Sequence, residues 1–150
     1  MKKLLFTLVF VLSSQWAYAQ PSPTKLHVDI LIINNVAYPI SHNMVVPAGY
    51  PIIVAGWTLN CYTGQQPVWW TAFLDGANEI PYTLSLRIMR PDAQGAAGSI
   101  CSGQPPYAVR LPSGPHLGFG VTVGPFAPGQ HTLMIRVVDP VAFPTTDPLL

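Results

Sequence analysis

The feature that most limits what this chain can fold into is its proline distribution. The 150 residues carry 17 prolines and 12 glycines, spread from one end to the other. Proline breaks a helix interior and removes a donor from a sheet ladder, so such a chain is restricted to short elements joined by turns. From Gln20 onward no stretch of ten or more residues shows a convincing 3.6-residue apolar period. Short β-branched and aromatic runs bounded by Pro, Gly, Asn and Asp recur instead, which predicts an all-β fold.

Several runs alternate cleanly enough to give a phase. Leu26, Val28 and Ile30 alternate with His27 and Asp29 and continue into Leu31-Ile32-Ile33; Asn34-Asn35 signals a turn. A short strand over Val36 to Ile40 follows, with Pro39 marking an edge. Pro51 to Trp57 reads as a central strand. In Val68 to Leu74, the apolar set Val68, Trp70, Ala72 and Leu74 is expected inward, and Trp69, Thr71 and Phe73 outward. Asp75-Gly76 turns the chain. In Tyr82 to Met89, Leu84, Leu86 and Ile88 are expected inward. Residues 92–115 read as an irregular loop with a short strand near Tyr107 to Leu111. Leu117 to Val123 and His131 to Val138 supply the last strands. About seven strands at this spacing, without internal repeats, predict one domain built as a two-sheet sandwich.

The first nineteen residues are of another kind. Lys2-Lys3 precedes the apolar run Leu4 to Leu12, and Ala17-Tyr18-Ala19 supplies small residues before Gln20. That is the layout of a secretory signal peptide cut after Ala19. The apolar run is too short for a spanning helix, which takes roughly 20 residues. The predicted organisation is therefore a leader over 1–19, a flexible Pro-rich opening over 20–24, the sandwich over 25–139 and a Pro-rich tail over 140–150. The expected location is outside the cytoplasm: secreted, periplasmic or at the cell surface.

Export gives the two cysteines a default. Cys61 and Cys101 are expected to form one disulfide, closing a loop of about 40 residues worth about 4 kcal/mol in chain-entropy terms. Loss of Lys2 and Lys3 with the leader takes the formal net charge from +1 to −1. A near-neutral chain with few scattered cations does not suit a phosphate backbone or an anionic membrane, so nucleic acid and lipid surfaces are poor partners.

Five pieces in order resemble bacterial immunoglobulin-like modules of secreted and cell-surface proteins. They are Gly56-Trp57, Asp75-Gly76, Arg90-Pro91-Asp92, Gly118-Phe119, and Pro128 to Leu133 leading to Asp139. The resemblance covers about residues 45–139. It implies an immunoglobulin-like sandwich acting as a spacer or recognition module, with no catalytic residues to transfer. The acidic residue often found shortly after Gly-Trp is missing, because Thr58-Leu59-Asn60-Cys61 stands there. Cys61 and Cys101 look like a local addition, expected to tie an early loop to the 92–115 loop. Structural roles are expected for Trp57 as a core residue at a strand end, for Arg90 and Asp92 as a pair flanking proline, and for His131 and Asp139.

The sequence carries few chemical motifs. No Gly-x-Ser-x-Gly elbow is present, and of the carboxylates that sugar cleavage would have to pair, Asp75 and Asp139 sit at turns, where carboxylates normally satisfy backbone donors. No catalytic residues are assigned, and the chain is read as non-enzymatic. His42 with Met44 is an incomplete copper pair, and Asp75 to Glu79 lacks the spacing of a calcium loop, so no metal or cofactor is expected. A small periplasmic metal-binding protein is the weakest alternative. Aromatics carry the functional expectation: Trp69 and Phe73 as an outward platform, with Tyr62 and Tyr107 on neighbouring loops. The expected ligand is carbohydrate or the surface of another extracytoplasmic protein. The main alternative is an assembly subunit of the pilus type, which completes its sheet with a neighbour's strand.

Overall fold

The computed structural model describes residues 7–10, 24–40, 44–104 and 109–138. Ten strands and one helix follow in chain order: β1 Thr7–Phe10, β2 Thr24–Ile33, β3 Val36–Pro39, β4 Met44–Val45, β5 Ile52–Asn60, β6 Trp69–Leu74, β7 Asn78–Ile80, β8 Thr83–Ile88, α1 Pro91–Ile100, β9 Gly118–Val123 and β10 Gln130–Val138. They form two five-stranded sheets, ordered β4-β1-β10-β6-β7 and β3-β2-β5-β9-β8. Every pairing is antiparallel except β1 with β10, which run parallel. The expected all-β sandwich is thus observed. Its strand number exceeds the expected seven because β4 and β7 are too short to leave a pattern, and β1 lies in the segment read as a leader; the short strand expected over Val36 to Ile40 is β3.

One sheet contributes Leu31, Ile33, Val54, Phe119 and Val121 to the core; the other contributes Trp70, Ala72, Leu133 and Ile135. Trp70 meets Phe119 across the layers at a ring-centroid distance of 4.9 Å, and its indole N–H donates to the Pro67 carbonyl. A buried indole thereby keeps its one donor satisfied.

The phase of β2 shifts partway. Its register against β5 passes from Val28↔Gly56 to Ile30↔Ala55, so Asp29 is the extra residue of a β-bulge. A bulge reverses which residues face inward. That accounts for the apolar run after Asp29: Leu31 and Ile33 are fully buried, not the even-numbered set continued. The close approach at the bulge also requires Gly56, where an added Cβ would stand 1.9 Å from the His27 carbonyl oxygen.

Four expectations need correction. Residues 91–100 form α1 rather than part of an irregular loop. Proline at the first helical turn, Asp92 beside it, and Ala93, Ala96 and Ala97 favour a helix. Its buried stripe is only Ala93 and Ala97, too small to register as an apolar period. Val68 is 64% exposed, because β6 begins one residue later. Leu86 and Ile88 are 38% and 44% exposed on the edge strand β8, where the register slips between Ser85 and Ile88. At the slip Arg87 has φ +59° and donates its backbone N–H to the Gln66 side chain. Trp57 lies inside β5, half-buried, rather than in the core at a strand end. It stacks on its cross-strand partner His27 and packs against a second cluster of Leu59, Ala93, Ala97 and Leu117.

The expected turns appear at Asn34-Asn35 and Asp75-Gly76, all four with positive φ. Asn34-Asn35 is a two-residue hairpin connection, which paired left-handed residues suit, and Asp75-Gly76 opens a three-residue connection to Asn78.

Candidate functional site

The outer face of β6 is set by alternation. Trp70 and Ala72 point into the core, so Trp69, Thr71 and Phe73 stand on the solvent side. Across the ladder, β10 places Met134 opposite Phe73 and Arg136 opposite Thr71. On the other flank β7 places Glu79 opposite Phe73. Trp69 is 64% exposed, whereas Phe73 is half-buried between these neighbours. The two aromatics do share a face, but only Trp69 presents its ring broadly to solvent.

Beside Trp69 an open groove of about 500 Å³ is lined by Val68, Trp69, Trp70, Thr71, Tyr82 and Arg136. The Tyr82 hydroxyl donates to the Trp70 carbonyl at 2.5 Å, which fixes the groove wall to the β6 backbone. Arg136 makes no ion pair among the described residues. The groove therefore combines an aromatic plane, a guanidinium with no ion-pair partner among the described residues, and hydroxyl groups. Neither Arg136 nor Tyr82 was singled out from the sequence. The available signal is the alternation of Leu133 and Ile135 with Met134 and Arg136 in the sequence of β10, which sets Arg136 on the face away from the core.

Tyr62 does not line this groove; it follows Cys61, one half of the disulfide. Cys61 and Cys101 are bonded, joining the end of β5 to the C-terminus of α1. Asn60 arranges that corner: its side-chain oxygen accepts from the N–H groups of Tyr62 (2.8 Å) and Thr63 (3.2 Å). Its own N–H donates to Gln65 and its carbonyl accepts from Gly64. Such a local side-chain bond is the usual device that ends a strand in a turn. Tyr107, Asp139 and His42 lie outside the described residues. Met44, the other half of the copper pair, is buried in the core.

Two charged clusters sit elsewhere. Arg90 ends β8's connection to α1 and donates to Asp92 at 2.9 Å and 2.6 Å, and also to Asp29 at the bulge. The Arg90 hydrogen bonds hold the Asp92 carboxyl at about 2. Asp29 also lies 3.2 Å from His27. His131 has Nδ1 2.8 Å from Asp75 and Nε2 3.0 Å from the Ala127 carbonyl. Both partners are acceptors, so the doubly protonated ring is favoured and its pKa is raised above 6.5. Among the described residues no three His, Cys, Asp or Glu converge as metal ligands.

Set against protein-family models, curated proteins and solved structures, the chain matches none of them.

Proposed function

We propose that this chain is an exported, non-enzymatic recognition module of the immunoglobulin-like kind, whose outer β6–β10 face binds carbohydrate. The single observation that carries the reading is Trp69, 64% exposed at the edge of a groove shared with Arg136. Leaving an indole in water is unfavourable unless something covers it, and exposed apolar surface beside convergent polar groups is the composition of a binding site. A sugar ring offers an apolar face for the indole and a rim of oxygens for Arg136, Thr71 and Tyr82. A protein surface would also engage Trp69, the exposed Val68 and Arg136, and the sugar titration below separates the two ligand classes.

The reading of export rests on the sequence of residues 1–19, and the module type on the ordered resemblance over residues 45–139. The test is tryptophan fluorescence of the exported protein on addition of neutral and carboxylated oligosaccharides. A saturable change that Trp69→Ala removes and Trp57→Phe retains supports the site. No change with any of these sugars refutes carbohydrate as the ligand.

A further inference from the structure

β1 belongs to the segment whose sequence is that of a leader, yet it occupies an interior position in its sheet, between β4 and β10. Its register is Thr7↔Gln130 to Phe10↔Leu133 on one side and Leu8↔Met44 on the other. If export removes residues 1–19, a strand leaves the middle of the sheet. Strands pair at about 4.8 Å, so β4 and β10 are then separated by about twice that, too far to bond each other.

The backbone of β10 shows what is uncovered. The Thr132 N–H donates to Asp75 and the Thr132 carbonyl accepts from the Asp75 N–H. Successive residues of a strand turn their backbone groups to alternate sides, so those of His131 and Leu133 face the gap. Leu133, Ile135, Met44 and Val46 are all buried core residues on the strands or loop that border it. An open gap leaves backbone donors unpaired beside an uncovered core, both costly.

We infer that after leader removal this gap is a receptor for an extended strand of a partner protein, entering parallel to β10 with apolar residues at alternate positions. The inference rests on the exported reading above but not on the carbohydrate site. The occupant's chemistry is taken from what fills the gap in the full chain, Thr7-Leu8-Val9-Phe10, a proline-free run with apolar character. The segments of this sequence that flank the sandwich fit poorly. Pro21 and Pro23 interrupt one, and Pro140, Pro144 and Pro148 the other, and proline cannot complete a ladder. A strand from a different chain is therefore the occupant, by strand addition.

The experiment uses the full chain expressed with its own leader and recovered outside the cytoplasm. Its N-terminus is read by mass, and amide exchange over Gln130 to Ile135 is followed with and without a synthetic peptide of residues Lys2 to Leu12. The expected result is a start at Gln20, fast exchange at His131 and Leu133, and at least a tenfold slowing with the peptide. The same peptide carrying Val9→Pro should give no slowing. Recovered protein that retains Thr7–Phe10 overturns the inference. So does slow exchange without peptide, whether β4 has closed the gap in a monomer or a second copy has filled it in a dimer, which light scattering distinguishes. Trp69→Ala should leave the peptide effect intact, so failure of the sugar site and failure of the receptor read out separately.

Discussion

Asp75 and His131 are locked together across the β6–β10 end of the sandwich, carboxylate to Nδ1 at 2.8 Å. The same carboxylate caps the Thr132 N–H, also at 2.8 Å. The bond to His131 is the main reason the Asp75 carboxyl sits below its ordinary 3.8, and the bond to Asp75 is the main reason His131 sits above 6.5. The signs differ. His131 contributes stability that is full below about 6.5 and fades as pH rises through its raised folded value; Asp75 contributes above about 3.8 and fades as pH falls. The pair is strongest between those limits. Histidine proton resonances should show His131 titrating above 6.5, and Asp75→Asn should return it toward the ordinary range. An unshifted His131 in the parent protein contradicts the geometry.

Gly56→Ala tests the bulge. Its methyl group would meet the backbone of His27 and Val28, which cannot rotate away. Overpacking of this kind costs about 1–3 kcal/mol. Urea denaturation should register a loss in that range, whereas Gly95→Ala, in open space on α1, should be neutral or stabilising.

The two neighbouring indoles should behave oppositely. Trp70 is buried against Phe119, so Trp70→Ala is expected to cost about 3–5 kcal/mol. Trp69→Ala removes an exposed ring and should change stability by less than about 0.5 kcal/mol. Thermal melts of the two variants check this directly; comparable losses would mean Trp69 is part of the core.

Much of this arrangement was legible in the residues. The strict alternation of Trp69 to Leu74 gave β6 its phase, and Asp75-Gly76 gave its turn, because a strand with one buried face must alternate. Helix α1 was hidden because Ala93 and Ala97 bury almost no apolar surface while still packing closely. The bulge at Asp29 was hidden because one inserted residue leaves a uniformly apolar sequence beyond it. Leu86 and Ile88 misled for the opposite reason: an apolar period is present, but an edge strand with a slipped register leaves it uncovered. At the candidate site the ring of Trp69 was foreseeable, whereas the groove beside it depends on Tyr82, from outside β6, meeting the Trp70 carbonyl.

The disulfide joins β5 to the end of α1, over 40 residues of sequence. Replacing both cysteines by serine should cost about 2–5 kcal/mol. Limited proteolysis should then cut first within α1 or the segment after it, since Cys61 and Cys101 are buried members of the small cluster that holds the helix to the sheet. Cleavage first in the strands of the main core would contradict that division.

The most direct measurement is a nitrogen–proton spectrum of the exported protein titrated with the oligosaccharide that perturbs its fluorescence. Three indole signals, from Trp57, Trp69 and Trp70, are expected if residues 1–19, which hold Trp16, are removed on export. The Trp69 signal should move furthest, together with the Arg136 and Thr71 amides. Shifts confined to Trp57 and α1, or none at all with every sugar offered, would contradict it.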